Sequence, residues 1–394
     1  MSGALNNIYN NVSFALHLHS EAMTRLQEQA TTGSRINRAS DDPSAAYRVE
    51  TLNSQEKSLG KYIDNLSDVV GTLELSSTII EEIQSSLTET KVRLTQVIGG
   101  IYHKETRERL AEGINDILEQ VVSLANTKHK GQYLFGGSNT TSQPYLAERT
   151  NGQITDITYQ GSLENRDVEV SLGIKSSAFH VGYDIFHSDD RGDPIFLGDT
   201  GAKAGTGTSN TQGDTWLTVT GSAGDYYLSI DDGLNTFHTD GTDTNLAVTD
   251  PKTGKVLYVD TTEINSTGAS LVSIPGTYDI FNTLISIRDM LKNERELSDA
   301  QLRELQNNSL KALEEVSGLI VQAEVSVGSK IGFLDNLKGS LKNLKYNAED
   351  ETTRLQEADI AQIAIDLSRR DVLYQMSLSI AGKLMSVSLL DFIG

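Results

Sequence analysis

A chain of 394 residues without a single cysteine excludes disulfide bonds, thiol catalysis and cysteine-based zinc or iron–sulfur sites. Its net charge of −21 argues against nucleic acid or an anionic membrane surface as a partner of the folded body. The N-terminal stretch lacks the basic start and apolar core of a secretory signal, and no run approaches the roughly 20 apolar residues that span a membrane. We therefore expect no membrane insertion and no cleaved leader.

The first predicted element is a helix over residues 5–30. Its apolar residues recur at steps of three and four, which is the spacing of a coiled-coil seam. They are Ile8, Val12, Ala15, Ala22 and Leu26. Gly33 suits the end of this helix. The Ser-Asp-Asp-Pro sequence at 40–43 predicts the start of the next helix, with a side-chain cap and Pro43 in the first turn.

The longest predicted helix begins at Pro43 and continues to Gly99, because nothing between them breaks the helical pattern. Within it a seven-residue rhythm spans roughly 40 residues, which at about 1.5 Å per residue makes a rod of about 60 Å. The residues of this rhythm are Leu59, Ile63, Leu66, Val70, Leu73, Ser77, Ile80, Leu87 and Leu94. A further helix is predicted over residues 104–126.

Helical periodicity ends after KGQYLFGGS at 130–138, and a β-rich insert is predicted over residues 141–276. The insert holds four of the five prolines and 17 of the 33 glycines, together with alternating runs such as DTWLTVTG and GKVLYVD. Such runs between Gly-containing turns are typical of short strands. Its 19 acidic against 7 basic side chains carry more than half of the chain's charge imbalance, which marks it as the solvated part.

Helical spacing returns after the insert. One helix is predicted over 280–291 and a longer one over 299–344, with a bend around 346–353. The terminal helix carries a seam at alternating steps of four and three. Its residues are Ile360, Leu367, Tyr374, Leu378, Ala381, Met385 and Phe392. From Leu373 onward a second apolar set covers another face, so one partner helix cannot bury this terminus. We therefore predict that the seams of the first and last helices pack between subunits.

These elements predict a multi-domain α+β fold. Because helical seams lie on both sides of the insert, the two chain ends should form a long antiparallel coiled-coil-like helical rod, and the β-rich insert should be an outer domain. The predicted parts are a terminal helical domain (1–40 with 354–394), a helical rod domain (41–140 with 277–353) and the outer domain (141–276).

Three segments of the chain carry a family resemblance. They are GSRINRASDDPSAAYRVETLN near the start, KGQYLFGGS before the insert and LSRRDVLYQMSLSIAGKLMSVSLLDFI at the end. Together they resemble the flagellin family of bacterial flagellar axial proteins. The resemblance implies that the terminal helices form an inner tube, that the rod helices form the next shell and that the β-rich domain lies outside them.

Within this family the chain resembles the hook-associated proteins of the hook–filament junction more than the filament flagellins. The SLLDFI ending and the GQYLFGGSNTTSQPY passage favour that branch. It implies a structural protein that joins the hook, through hook-associated protein 1, to flagellin by packing of terminal helices between subunits. It also implies a ring or helical assembly of the chain with itself, an export chaperone, and secretion without a cleaved signal to the extracellular flagellum. Filament flagellin is the alternative.

The loop between the first two helices has two interpretations. Locally it is a capped turn, and the resemblance implies that its side chains also contact neighbouring subunits. These residues are Arg35, Asn37, Arg38, Asp41, Asp42 and Pro43. A single exposed ion pair contributes only about 0 to 1 kcal/mol, so such contacts would set the register of subunits more than the strength of their association.

No catalytic site, cofactor or metal is predicted. The chain has no metalloprotease, serine hydrolase, Walker A or dinucleotide-binding motif, and its seven histidines lack the spacing of metal ligands. The acidic loops of the insert lack a full calcium-binding frame, and Arg191-Gly192-Asp193 is interpreted as a turn. A distant alternative is a helical rod that carries an enzymatic or glycan-binding β domain, since paired carboxylates occur in the insert.

Overall fold

The computed structural model describes residues 2–98 and 103–393, without the side chains of 2–6, 8–9, 98 and 384–393. The helices in these residues are α1 (Ser2–Thr32), α2 (Pro43–Ile98), α3 (Lys104–Ala125), α4 (Gly182–Phe186), α5 (Ile280–Lys292), α6 (Asp299–Gln356) and α7 (Ile360–Ile393). The strands are β1 (Lys128–His129), β2 (Gln132–Tyr133), β3 (Tyr145–Thr150), β4 (Gln153–Tyr159), β5 (Asp167–Ser171), β6 (Ile174–Ser177), β7 (Ile195–Leu197), β8 (Lys203–Ala204), β9 (Gly213–Ser222), β10 (Asp225–Ser229), β11 (Phe237–Thr239), β12 (Leu246–Asp250), β13 (Lys255–Asp260) and β14 (Gly268–Ile274).

The predicted fold class is confirmed, since long helices at both ends of the chain flank a β-rich middle region in the sequence. The second helix begins at Pro43 as predicted, and the DTWLTVTG and GKVLYVD runs lie in β9 and β13. The chain divides into two compact units, Met1–Asp64 with Leu337–Gly394, and Asn65–Asn336. The three-part division made from the sequence stays a prediction.

In the first unit, segments from the two halves of the chain lie side by side. α1 packs against α7. Salt bridges join Arg48 to Glu351 and Glu56 to Lys345. Because the residue numbers rise along α2 as they fall along α6, the first part of α2 is antiparallel to the last part of α6.

The bend predicted around 346–353 is not found. Helical hydrogen bonding continues through these residues to Gln356, and the interruption before the terminal helix lies at 357–359. There the Asp359 carboxylate accepts the backbone amide of Gln362 at 3.0 Å, which caps α7. The interruption thus lies where α7 is capped and where the chain also bonds to residues 33–35, since the Ala358 amide donates to the Gly33 carbonyl.

In the second unit, the seven-residue rhythm of α2 is buried. Its fully buried members are Leu66, Leu73, Ile80, Leu87 and Leu94. Each heptad thus contributes one side chain to the core, as a sustained heptad pattern predicts. Lys91, on the exposed side of α2, pairs with Glu314 of α6 at 2.9 Å, and α3 packs against α5.

The KGQYLFGGS segment is a structural joint between α3 and the β-rich region. Leu134 and Phe135 are fully buried, and Phe135 meets Phe186 of α4 edge-on with ring centroids 5.2 Å apart. The His180 amide donates to the Leu134 carbonyl at 2.9 Å, and the Gly137 amide donates to the His180 carbonyl at 2.9 Å. Burial lowers the pKa of His180 to about 4, so its ring is neutral at physiological pH. The joint is therefore held by packed aromatic rings and by hydrogen bonds between its backbone amides and carbonyls.

Gly137→Ala should destabilise this joint. Gly137 has a φ of +63°, in the left-handed region, and a Cβ there would overlap the Ser162 carbonyl oxygen. We expect a loss of about 2 to 4 kcal/mol in the free energy of unfolding, measured by urea denaturation. Gly131→Ala is the matched control, because Gly131 has a φ of +80° but open space around it. That control should lose about 1 kcal/mol, and equal losses in both variants would contradict the steric argument.

Residues 195–274 form a sandwich of two antiparallel sheets. One sheet has the strand order β11-β10-β9-β14-β7 and the other the order β12-β13-β8. The inward residues of both sheets build one shared core. Its fully buried members include Leu217, Leu228, Val248, Leu257, Val259 and Val272. Three two-stranded hairpins, β1-β2, β3-β4 and β5-β6, precede the sandwich. The first of them lies before residue 141, so β structure starts earlier than the predicted insert.

Candidate functional site on the terminal helices

α1 and α7 run antiparallel to each other. Near their adjoining ends the Ala358 amide donates to the Gly33 carbonyl at 3.1 Å. Further along, a guanidinium nitrogen of Arg370 lies 3.3 Å from Nδ1 of His19. Gly33 has a φ of +67° and follows the last residue of α1, so it ends that helix as predicted.

Seam residues of both helices are half-buried where α1 and α7 pack together. On α1 these are Val12, Ala15, Ala22 and Leu26, and on α7 they are Leu367, Tyr374 and Ala381. Heptad spacing places the α7 members within one narrow strip of the helix surface. The predicted seam is thus occupied by a helix of the same chain, and its contact with a second subunit stays a prediction.

A second apolar strip of α7, the outer stripe, is exposed. It consists of Ile365, Val372, Met376 and Ile380, which are between 52 and 62% exposed. At 100° per residue these four lie within about 80° of one another, and about 120° to 180° from Tyr374. A helix with large apolar side chains on opposite faces needs a second partner for the face that α1 does not cover.

α1 also carries exposed apolar side chains. Phe14 and Leu18 are exposed on α1. Leu18 and Leu373 also line a groove of about 700 Å³ between the two helices, and Arg25 and Arg369 stand at its sides. The groove is otherwise lined largely by charged and polar side chains, among them Glu21, Asp366 and Arg370, so the exposed apolar surface of this helix pair is mainly the outer stripe.

The remaining predicted seam residues fall into two groups. Ile360 and Leu378 are about half exposed and lie at the edge of the seam, about 20° around the helix from Leu367. Ile8, Met385 and Phe392 lie outside the described side chains, so their predicted role stays a prediction.

Sequence reasoning missed most of the outer stripe. Ile365, Val372 and Met376 follow one another at steps of seven and four, which is the same heptad spacing as the seam. This spacing was the signal that could have found them. It does not tell which of two equivalent stripes meets the neighbouring helix of the same chain.

Asp41 organises the predicted loop between α1 and α2. One carboxylate oxygen accepts the amides of Asn37 and Arg38 at 3.1 and 2.9 Å, and the other lies 3.3 Å from the Arg25 guanidinium. Burial by itself would raise the pKa of Asp41. The hydrogen bonds from the two amides and the charge of Arg25 outweigh it and hold the pKa below its ordinary value.

Asp42 caps α2, as predicted. Its carboxylate accepts the Ala45 amide at 3.0 Å and the Arg35 guanidinium at 3.2 Å, and Pro43 is the first residue of the helix. The hydrogen bond from Ala45 and, after it, the Arg35 guanidinium lower the pKa of Asp42. The capped turn is therefore confirmed.

The other loop residues are also bonded within the chain. The Asn37 amide side chain donates to the Ser34 carbonyl at 3.1 Å, and Arg38 pairs with Glu28 at 3.1 Å. The side chains of Arg35 and Arg38 nevertheless remain 49% and 68% exposed. Contact of this loop with neighbouring subunits stays a prediction. The exposed parts of these two arginine side chains are available for such a contact.

Other kinds of site find little support in the part of the chain that the structure describes. No three His, Asp or Glu side chains there lie close enough to hold a metal ion. None of the helices described is both long and apolar enough to cross a bilayer. Arg191-Gly192-Asp193 is irregular chain and not the turn expected from the sequence, and its Gly192 amide donates to the Pro275 carbonyl at 2.8 Å.

Residues 4–140 match the family model described as the bacterial flagellin N-terminal helical region. This range contains α1, the capped loop, α2, α3 and the KGQYLFGGS joint. The first third of the chain is thus a helical region of the flagellin type.

Two curated relatives agree with this match. Flagellar hook-associated protein 3 of Escherichia coli (strain K12) is 25% identical over 162 residues, which are 41% of this chain and 49% of that protein. Flagellin A of Helicobacter felis is 29% identical over 151 residues, which are 38% of this chain and 27% of that protein. The matches therefore span half or less of the length of these relatives.

A solved structure has a similar fold. The crystal structure of flagellar hook-associated protein 3 from Legionella pneumophila aligns with a TM-score of 0.53 and 16% identity, over 78% of this chain and 98% of that one. The helical region, the terminal helix pair and the fold together define a flagellin-like protein. Over 78% of the chain its fold is similar to that of flagellar hook-associated protein 3.

Proposed function

We propose that this chain is a structural axial protein of the bacterial flagellum that joins the hook to the filament. The observation that carries the proposal is the outer stripe of α7, because a single copy leaves it uncovered while α1 already occupies the opposite face. The likeness in fold to nearly the whole of hook-associated protein 3 supports the junction position.

In this proposal, copies of the chain assemble with one another through their terminal helices into a ring or helical array. Hook-associated protein 1 is the neighbour on the hook side and flagellin the neighbour on the filament side. Before assembly an export chaperone covers the apolar terminal helices, and the chain reaches the extracellular flagellum without a cleaved signal. The acidic β-rich region supplies solvated surface and no enzymatic step.

Filament flagellin is the second candidate. The identity to a flagellin is slightly higher than the identity to hook-associated protein 3, at 29% against 25%. The two candidates share the terminal-helix mechanism and differ in the neighbours that they contact.

Deletion of the gene followed by electron microscopy separates the two candidates. Loss of a junction protein should leave hooks without filaments while flagellin monomers accumulate in the medium, and the intact gene supplied in trans should restore filaments. Hooks that still carry junction components, with no flagellin in the medium, would support the flagellin candidate. Normal filaments after deletion would contradict both.

A further inference from the structure

Asp214 of β9 places an acidic group in the contact between the sandwich and α6. Its Oδ1 accepts the Ser273 hydroxyl at 2.6 Å, and the side-chain amide of Asn308, on α6, lies 3.5 Å from the same oxygen. Counted over the whole residue Asp214 is half-buried, but its carboxyl end is enclosed by protein. A carboxyl group in such a place has to be neutral or compensated.

Ser273 connects this carboxyl group to the neighbouring elements. The Asn308 amide donates to the Ser273 hydroxyl oxygen at 2.8 Å, and the Tyr278 hydroxyl is hydrogen-bonded to the same oxygen. Ser273 and Asn308 are both buried. The partners of Asp214 are thus hydroxyl and amide groups, and among the described residues no Lys or Arg forms an ion pair with it.

The charged groups around this network are mostly acidic. Glu315 of α6 accepts the Gly276 amide at 3.0 Å. Burial, followed by the charges of Asp214 and Glu315, raises the pKa of Tyr278 to about 12, so this hydroxyl keeps its proton. Hydrogen bonds from Asn308 and Tyr278 partly offset the charge of an ionised Asp214, but among the described residues neither α6 nor the 275–278 segment supplies a cation that pairs with it.

One titratable group contacts Gln212, which lies two residues before Asp214 in the chain. The ring of His187 lies 3.4 Å from the side-chain amide of Gln212. Burial lowers the pKa of His187, while the charges of Asp279 and Asp189 oppose that shift. His187 is thus a second group to be separated from Asp214 in a pH experiment.

We propose that Asp214 is a proton-operated lock between the β-sandwich and α6, closed while its carboxyl group is protonated and weakened when the group ionises. A neutral carboxyl group satisfies the surrounding hydroxyl and amide groups without a charge in the contact. A carboxylate enclosed there without a cation favours separation of the two surfaces, because separation returns it to water.

The direction of the pH dependence follows from the pKa. Burial is the main cause that raises the pKa of Asp214 from an ordinary 3.8 to about 6. The docked carboxyl group holds its proton more tightly than the free one, so docking is strongest below about pH 4 and weakens as the pH rises through about 6. A shift of about two pH units corresponds to about 100-fold in the docking equilibrium.

The single tryptophan of the chain reports on this contact. Trp216 lies two residues from Asp214 on β9 and hence on the same face of the sheet. It lines a small cavity with Leu305 of α6, and the guanidinium carbon of Arg295 lies 4.6 Å from its ring centroid. Opening of the lock would expose the indole ring to water and change its fluorescence.

The test is a fluorescence titration of the full chain from about pH 4 to about pH 8 at constant ionic strength. We expect a transition with a midpoint near pH 6 in the native chain and none in Asp214→Asn, which is neutral and of the same shape. Asp199→Asn is the matched control, because Asp199 is an exposed carboxylate of the sandwich that accepts the Gln301 side chain of α6 at 3.2 Å. That control and His187→Gln should both keep the transition.

A second variant covers the case in which Asp214→Asn fails to fold. Asn308→Leu removes a donor that stabilises the carboxylate, so the midpoint should move to higher pH. A native chain without a transition between about pH 5 and about pH 7.5 overturns the proposal. A transition that persists in Asp214→Asn, or that disappears in His187→Gln, overturns it as well.

Discussion

Met376→Glu should abolish assembly of this chain into the flagellum and leave the free chain folded. Met376 is 59% exposed at the centre of the outer stripe, so a carboxylate there meets water in the monomer. Glutamate also favours a helix about as well as methionine does. In an assembled structure the same position would be buried, and an uncompensated buried charge costs about 3 to 5 kcal/mol. Because every copy carries the substitution, the loss recurs at each contact between copies.

Two measurements check this expectation. Circular dichroism and thermal unfolding of the purified variant should match those of the native chain. Cells in which the variant replaces the native gene should carry hooks without filaments and should not swim. Val372→Glu, on the same stripe, should behave in the same way, since it is exposed to a similar extent.

Gln375→Glu is the matched control for charge. It adds the same carboxylate one residue away, at an exposed polar position outside the outer stripe. Because the Gln375 side chain donates to Asp371 at 3.0 Å, this variant should also lose about 0.2 to 0.5 kcal/mol of helix stability, which its own thermal unfolding measures. Cells with this variant should assemble filaments. Normal assembly of Met376→Glu would show that the outer stripe is not an interface, and failure of both variants would show that added charge on α7, and not the stripe, is responsible.

Arg288→Leu should strongly destabilise the second unit. Arg288 of α5 is only 2% exposed, and its guanidinium donates to the Asn115 side chain at 3.1 Å and to the Ile154 carbonyl. It also pairs with Asp289 at 2.7 Å. Leucine would leave the buried acceptors of α3 and β4 without a donor. We expect a loss of about 3 to 5 kcal/mol in the free energy of unfolding.

Urea denaturation followed by Trp216 fluorescence measures this loss. Arg149→Leu is the control, because Arg149 also joins the β-rich region to α3 through a two-point salt bridge to Glu119, but at the surface. An exposed pair contributes about 0 to 1 kcal/mol, so the control should lose about 1 kcal/mol or less. If Arg288→Leu lost no more than Arg149→Leu, the buried cation would not be what holds α5, α3 and β4 together.

Much of the secondary structure could be predicted because its causes are local. Pro43 and the Asp42 carboxylate start α2, and Gly33, with its positive φ, ends α1. Glycine pairs and alternating runs marked the β-rich region in the same way. These features act within a few residues of the chain, so the printed sequence contains all that decides them.

Features that depend on distant residues could not be predicted. A bend before α7 was predicted in the polar turns at 346–353, whereas the helix is interrupted at 357–359, where the Arg35 amide donates to the Gln356 carbonyl and the Ala358 amide donates to the Gly33 carbonyl. In the sequence, Asp214 looks the same as the other acidic residues of a solvated insert. Its proposed role in the contact with α6 depends on Asn308, almost a hundred positions away. Nothing near Asp214 in the sequence reveals that α6 encloses its carboxyl group.

The terminal helices show this division most clearly. The sequence by itself determined that α1 and α7 are helices and which of their residues share a stripe, because both follow from the helical period. Only the tertiary structure decided which α7 stripe is used within the chain. Tyr374 and Met376 belong to stripes with the same heptad spacing, and the packing of α1 covers the first while it leaves the second exposed. A periodic pattern defines the faces of a helix, but only contact in space decides what each face meets.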